Sequence, residues 1–237
     1  MRRFLFASFL LMLTAGSLSA QMRRVPREYA TNDPDWWISA GVGGFRANIV
    51  NDGVTGSTWN FGNATNLQYR ASLEKQMDIG AAFGVAGSFA RVPFSYSADL
   101  ATPLPAGESG TRCPAFAVTC NAHLDMMTLV LTFHAGSGLG FHQVIEVNGG
   151  VVAYKNLKDD ASGAKLAPSG GNIDPLFSFG YGFGYGINNR TNIDFVSDYT
   201  IGIHERKDLS NGTSNTNSMP SLRLALRMGF GTHTITR

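Results

Sequence analysis

The sequence predicts an all-β fold, an eight-stranded antiparallel up-and-down β-barrel that crosses a membrane. Three observations predict it: one strand with a greasy face and a bare face, connections that alternate between long and short, and a low charge content. The first is the stretch F-S-F-G-Y-G-F-G-Y-G-I from Phe177 to Ile187, in which odd positions are aromatic or aliphatic and even positions are Ser or Gly. Successive strand side chains point to opposite faces, so one face is apolar and the other carries almost no side chain. A soluble sheet would place charged or hydroxyl groups on the second face. A bare face instead suits the crowded interior of a small barrel whose aromatic face meets lipid. Charged residues make up 15% of the chain, against about 25% in a soluble domain.

From the start of the chain, M-R-R-F-L-F-A-S-F-L-L-M-L-T-A-G-S-L-S-A has two arginines, an apolar run and small residues. That is the layout of a secretory signal peptide, residues 1–20, with cleavage after Ala20. The apolar run, Phe4 to Ala15, is too short to span a bilayer, and no later run is long enough for a transmembrane helix. A membrane-embedded chain of this kind must then close into a barrel, because lipid leaves no partner for an open sheet edge. Removing Arg2 and Arg3 takes the basic count from 19 to 17, against 17 acidic residues. The neutral balance, without a basic stripe, excludes nucleic acid as an expected partner.

Residues 21–35 are polar, lack periodicity and form a leader. Eight strands follow, expected near Trp36 to Val50, Thr65 to Glu74, Asp78 to Val92, His123 to Ala135, Leu139 to Tyr154, Asp174 to Ile187, Thr191 to Glu205 and Met219 to Phe230. In the first, Trp36-Trp37 and Val42 to Phe45 differ in phase, which a bulge among Gly41, Gly43 and Gly44 would explain. The second, fourth and sixth connections are tight: Lys75-Gln76-Met77, Gly136-Ser137-Gly138 and Asn188-Asn189-Arg190. The other connections are long and rich in Asn, Ser, Thr and Gly. Short turns at one end and long loops at the other are the pattern of transmembrane barrels, with the turns and the amino terminus on the periplasmic side. Within the third long connection, K-N-L-K-D-D-A-S-G reads as a solvated loop rather than a cation site. The whole of 36–237 is expected to be one barrel domain ending in a short tail.

The faces of the later strands follow the same rule. Phe177, Phe179, Tyr181, Phe183 and Tyr185 in the sixth strand, and Leu222, Leu224, Leu226, Met228 and Phe230 in the eighth, are expected to face lipid. Aromatic residues gather where interfaces should fall: Trp36, Trp37, Phe133, Phe141, Tyr185, Phe195 and Phe230 near the turn end, and Phe45, Phe89, Tyr154 and Phe177 near the loop end. Cys113 and Cys120, seven apart in an exported chain, are expected to form a disulfide.

Strand number, loop alternation and glycine-aromatic strands such as G-V-G-G-F make residues 36 to 230 resemble the OmpA/OmpX-type family of eight-stranded outer-membrane β-barrels. The resemblance implies residence in the outer membrane, contact with its lipid and lipopolysaccharide, and insertion by the barrel-insertion machinery. Such barrels commonly end on an aromatic residue that this machinery reads. Here Phe230 is followed by Gly231 to Arg237, in which Thr232 and Thr234 do not continue the apolar face.

The inward faces carry the only clustered chemistry: Arg70, Glu74, Glu146, Asp194, Asp198, Arg223 and Arg227. Three positive and four negative groups in a narrow lumen must pair, because an unpaired buried charge is costly. One antiparallel register of the last two strands sets Asp194 beside Arg227 and Asp198 beside Arg223, with Phe195 opposite Leu226 and Tyr199 opposite Leu222 outside. An eight-stranded barrel is filled by its own side chains, so a structural role outweighs an ion path. No catalytic set is expected. Of His123, His134, His142, His204 and His233, none sits in an H-x-S pattern, and His204-Glu205 reads as a solvated loop pair. No cofactor or metal is expected.

The expected function is that of a monomeric, non-enzymatic outer-membrane barrel with a charge-paired, filled lumen. It serves envelope structure and presents surface loops, with Trp59 and Phe61 in the first loop available for adhesion or ligand contact. A narrow porin-like channel and a lipid A-modifying enzyme are the alternatives.

Overall fold

The computed structural model describes residues 33–78, 80–113, 118–204 and 215–232. The expected signal peptide, most of the expected leader, Glu205 with nearly all of the last long connection, and residues 233–237 lie outside the described residues. Among the described residues ten strands form: β1 (Trp36–Phe45), β2 (Val50–Asp52), β3 (Ser57–Asn60), β4 (Asn66–Asp78), β5 (Ala81–Ala98), β6 (Thr119–Ala135), β7 (Gly140–Asp159), β8 (Asn172–Asn188), β9 (Thr191–Ile203) and β10 (Thr216–Phe230). Eight of them, all but β2 and β3, run in the order β5-β4-β1-β10-β9-β8-β7-β6, and pairing of β5 with β6 closes the ring. Every pairing in the ring is antiparallel between successive barrel strands, with β1 against β10 joining the chain ends. Closure leaves the spanning part without a free edge.

The alternation of apolar and small or polar residues translates into two faces. Leu129, Leu131 and Phe133 on β6, Phe177 to Tyr185 on β8, and Leu222 to Phe230 on β10 point away from the barrel, and Phe141 is 72% exposed. A belt of large apolar side chains so exposed would be untenable in water and is what a lipid environment requires.

Several expectations change at the level of elements. β1 has no bulge: Trp36 to Phe45 pairs continuously with both β4 and β10. Its phase is single, so Trp37 and Phe45 point inward and are buried, and neither belongs to an outer aromatic ring. The same holds for Tyr154 on β7. The apparent break in the sequence comes from large residues on an inner face where Gly41 and Gly43 lie close to β10, and a Cβ on either would strike its backbone.

The first tight turn comes later than Lys75-Gln76-Met77. These residues belong to β4, and Gly80, at φ +79°, supplies the left-handed turn position instead. β5, β6 and β7 run further toward the loop end than expected, to Ala98, Thr119 and Asp159, so K-N-L-K-D is strand rather than loop. The first long connection is also not loop throughout. β2 and β3 form a hairpin whose second strand pairs with Ser95 to Ala98 of β5, above the end of β4.

Candidate functional site

The interior divides into two tiers. Near the turn end it is charged. Glu146 on β7 accepts from Arg223 Nη2 of β10 at 2.6 Å and lies 3.7 Å from Arg70 of β4, across the lumen from its own strand. Its other oxygen is 3.3 Å from His134 Nδ1 on β6. Arg70 also donates to Asn148 Oδ1 at 2.8 Å, and Asn148 to Ser178 Oγ at 2.8 Å. Arg227 reaches over β1, stacks on the Trp37 ring at 4.2 Å and donates to Glu74 Oε2 at 2.7 Å. Trp37 Nε1 in turn donates to Gln76 at 2.6 Å. Arg223 Nε lies 3.5 Å from Asp198, and His142 Nε2 lies 3.9 Å from Asp194.

The bare face of β8 makes room for this tier. A Cβ on Gly180 would collide with the Asp198 carboxylate, and one on Gly184 with both His142 and Asp194. Glycine is required there because polar side chains from β9 and β7 occupy the space above it. Between this tier and the next is a cavity of about 30 Å³, lined by Gln68, Arg70, Ser88, Thr128, Ser178 and Asp198 among others, a volume on the order of one or two waters.

Toward the loop end the interior is apolar. Trp59, on the β2–β3 hairpin, is fully buried and packs against Tyr154 at 5.5 Å, His204 at 5.4 Å and Phe94 at 6.5 Å between ring centroids. Phe61, Leu124, Met126, Val92 and Tyr96 belong to the same cluster. Asn217 caps Tyr154 Oη at 3.0 Å, so the buried phenol is satisfied.

His204 follows the last residue of β9, outside the spanning strands, with its side chain buried. Its Nδ1 is 2.7 Å from Asp174 and its Nε2 is 3.8 Å from Asp52 of the hairpin. Burial works against the imidazolium, but the bonds to Asp174 and Asp52 and their charges outweigh it and lift His204 to about 9. Burial likewise opposes ionisation of Asp52, yet His204 and Thr55 hold its carboxyl below the ordinary range. The pair fastens the hairpin to the end of the β8–β9 ladder.

Outside this plug, the second and third long connections are stitched together. Thr111 N donates to Lys165 O at 2.8 Å, Ala167 N to Thr111 O at 2.9 Å, and Ser169 N to Glu108 at 3.0 Å. Leu166 is buried beneath them, and Cys113 is bonded to Cys120. The disulfide joins residues seven apart in the sequence and so stiffens this surface locally.

Asp194, Asp198, Glu74, Glu146, Arg223 and Arg227 are buried, and the Arg70 side chain is 12% exposed. Their pairing differs from expectation in one respect. The β9–β10 register lies two residues away, so Asp194 stands opposite Ala225, Asp198 opposite Ser221, Phe195 opposite Leu224 and Tyr199 opposite Pro220. Such a shift preserves faces but changes partners, and the long connection between these strands does not fix it. Arg223 still reaches Asp198 diagonally, but Arg227 goes to Glu74 rather than Asp194.

Two other expectations are overturned. His204 is a buried anchor rather than a solvated loop residue, and Trp59 and Phe61 are plug residues with no free surface to offer a partner. His134, His142 and Asn148 belong to the charged tier without having been expected there. Their signal was in the phase: His142 alternates in step with Glu146 and Asn148.

The chain is similar in structure to the neisserial surface protein NspA, at 11% identity and a TM-score of 0.50, over 83% of this chain and 97% of that one. Ail, the attachment invasion locus protein of Yersinia pestis, aligns at 11% identity and a TM-score of 0.43, over 84% and 99%. The outer membrane protein OprG from Pseudomonas aeruginosa aligns at 13% identity and 0.38, over 84% and 95%. No family model and no curated protein sequence matches the chain. At these identities the likeness is one of fold: the chain has the fold of the eight-stranded outer-membrane β-barrels.

Proposed function

We propose that this protein is a non-enzymatic barrel of the outer membrane. In this reading it is closed to solutes, strengthens the envelope, and presents a braced surface of outer segments for adhesion or ligand contact. One observation carries the proposal: a charge-paired tier and an aromatic plug lie in series along the same lumen, with a cavity of about 30 Å³ between them. A solute would have to displace both, and each is held by contacts between strands on opposite sides. The first loop, which in a channel would be free to swing, is folded inward as the hairpin and fastened through Asp52 and His204.

Envelope orientation follows from the same reading. The turns face the periplasm, and the hairpin and the stitched second and third connections face the exterior. These outer segments are braced by backbone hydrogen bonds and a disulfide, which suits a surface that meets a partner without first having to order itself. Within the lumen Glu146, Glu74 and His134 are committed to arginines, backbone and one another, and this favours a structural role over catalysis.

Planar-bilayer recording on the purified barrel tests the proposal. The expected result is no single-channel steps above baseline in molar salt. Regular steps that survive in independent preparations would replace the closed barrel with a channel. Unchanged lipid A in cells that overproduce the protein is the companion expectation, and a modified lipid A would instead establish an enzyme.

A further inference from the structure

We propose that Asp194 and His142, meeting over the bare face of β8 at the turn end of the lumen, hold a divalent transition-metal ion of the zinc class. The site goes beyond the reading of a closed barrel and does not depend on what the outer segments contact.

Three strands bring the two side chains together in one row. Asp194 on β9 stands opposite Gly184 on β8, and Gly184 stands opposite His142 on β7. The middle residue has no side chain, so the outer two reach over it and meet. A Cβ on Gly184 would strike both His142 Nε2 and Asp194 Oδ1, which places both atoms directly above the glycine. They are 3.9 Å apart. That separation is too long for a hydrogen bond, and one ion bonded to each at about 2.0–2.2 Å spans it.

The polarity of the hydrogen bonds says what belongs between them. His142 Nδ1 is 3.1 Å from the Gly140 carbonyl, which can only accept, so Nδ1 carries the proton. In the neutral imidazole Nε2 is then a lone pair, and it faces a carboxylate oxygen. Both atoms are buried, and neither has a hydrogen-bond partner among the described residues. Two acceptors thus face each other across a gap that a cation closes. A histidine whose other nitrogen donates to a backbone carbonyl is the usual arrangement at a metal.

The cations of the tier are committed elsewhere. Arg223 and Arg70 go to Glu146, Arg227 goes to Glu74, and His134 is held by Glu146 and the Gly136 carbonyl. The Asp194 side chain is 3% exposed, and among the described residues no arginine is within ion-pair distance of it. Arg227 and His134 act on it only from further away. A buried carboxylate without a partner is costly, and a bound metal supplies one. Asn192, in the next row toward the turns, is also buried, with both amide atoms unpartnered among the described residues. No third His, Cys, Asp or Glu joins the pair among the described residues. Water therefore completes the coordination, with the Asn192 amide in the next row as its neighbour. Imidazole favours zinc, copper or nickel over magnesium and calcium, which prefer all-oxygen sites. The His142 side chain is 12% exposed at the turn end, so an ion enters without crossing the plug.

The test uses the untagged mature protein, folded in detergent, freed of metal with a chelator and titrated calorimetrically with Zn²⁺, Mg²⁺ and Ca²⁺. One zinc per barrel is expected, without binding of magnesium or calcium. Affinity should fall by more than about tenfold in His142→Gln and in Asp194→Asn. It should be unchanged in His123→Gln, which removes the more exposed His123–Asp160 pair. Electron paramagnetic resonance of the Cu²⁺ complex is the second readout, with coupling to one imidazole nitrogen expected in the wild type and lost in His142→Gln. Absence of zinc binding would overturn the proposal and leave a proton or a water between the two atoms. Binding unchanged in both lumen variants, or lost in His123→Gln, would overturn it by placing the metal at the surface. Magnesium bound as tightly as zinc would overturn it as well, because the imidazole would then not be a ligand. The mobility shift on boiling in SDS reports the folding of each variant, and if one lumen variant does not fold the other carries the test.

Discussion

Glu146 gathers Arg223, Arg70 and His134 around one carboxylate, and this makes it the residue on which the charged tier depends. Removing one member of a buried pair leaves its partners charged and uncompensated, typically at a cost of about 3–5 kcal/mol. Glu146→Gln is therefore expected to lower the urea midpoint of the barrel, read as loss of the compact band in unboiled SDS gels, and to lower it more than Asp160→Asn does at the surface. His204 supports a prediction of pH dependence. Its folded-state value lies near 9, above the ordinary value of 6.5. Its contribution is then fully present below about pH 6.5 and is lost as pH rises through about 9. Heat midpoints measured between pH 7 and 10.5 should fall across that window in the wild type, and the fall should be reduced in His204→Gln. An unchanged pH profile in the variant would remove His204 as the fastener of the hairpin.

At the scale of elements, β8 shows how a strand can be specified by the side chains it lacks. Its inner glycines lie under Asp198, Asp194 and His142, whereas its aromatic residues face outward. Gly184→Val should strike His142 and Asp194 and cost about 1–3 kcal/mol, the range for overpacking. Phe179→Leu on the outer face should stay within roughly 0.5 kcal/mol of wild type, as substitutions away from such features do. Chemical denaturation of both variants in one detergent checks the contrast, and equal loss from the two would contradict the assignment of faces. The hairpin of β2 and β3 shows the opposite limit. Its sequence, rich in Asn, Thr and Gly, has the composition of a solvated loop. Its place is decided by Trp59, which finds Tyr154, Phe94 and His204 only because the barrel assembles them at that height.

Across the whole molecule, two seals of different chemistry occupy one lumen, and they should fail independently. Trp59→Ala would empty a large part of the outer plug and cost about 3–5 kcal/mol. Conductance should nevertheless stay at baseline, because Glu146 with Arg223 and Glu74 with Arg227 still close the lower tier. Bilayer recordings that open on this one substitution would show that the charged tier alone does not seal. The sequence by itself determined the number of barrel strands, the closed antiparallel architecture and the face on which each of the seven lumen charges lies. Periodicity of two is a local property, and turn residues mark its breaks. It also supplied the cysteine pair, which separation alone brings within reach. Only the tertiary structure decided who pairs with whom. A register slip of two leaves every face unchanged, and the strongest contacts join strands on opposite walls, such as Arg223 on β10 with Glu146 on β7. The fate of Trp59, Phe61 and His204 was decided at the same level. Burial depends on what the closed barrel places around a residue, and no local pattern encodes that distance.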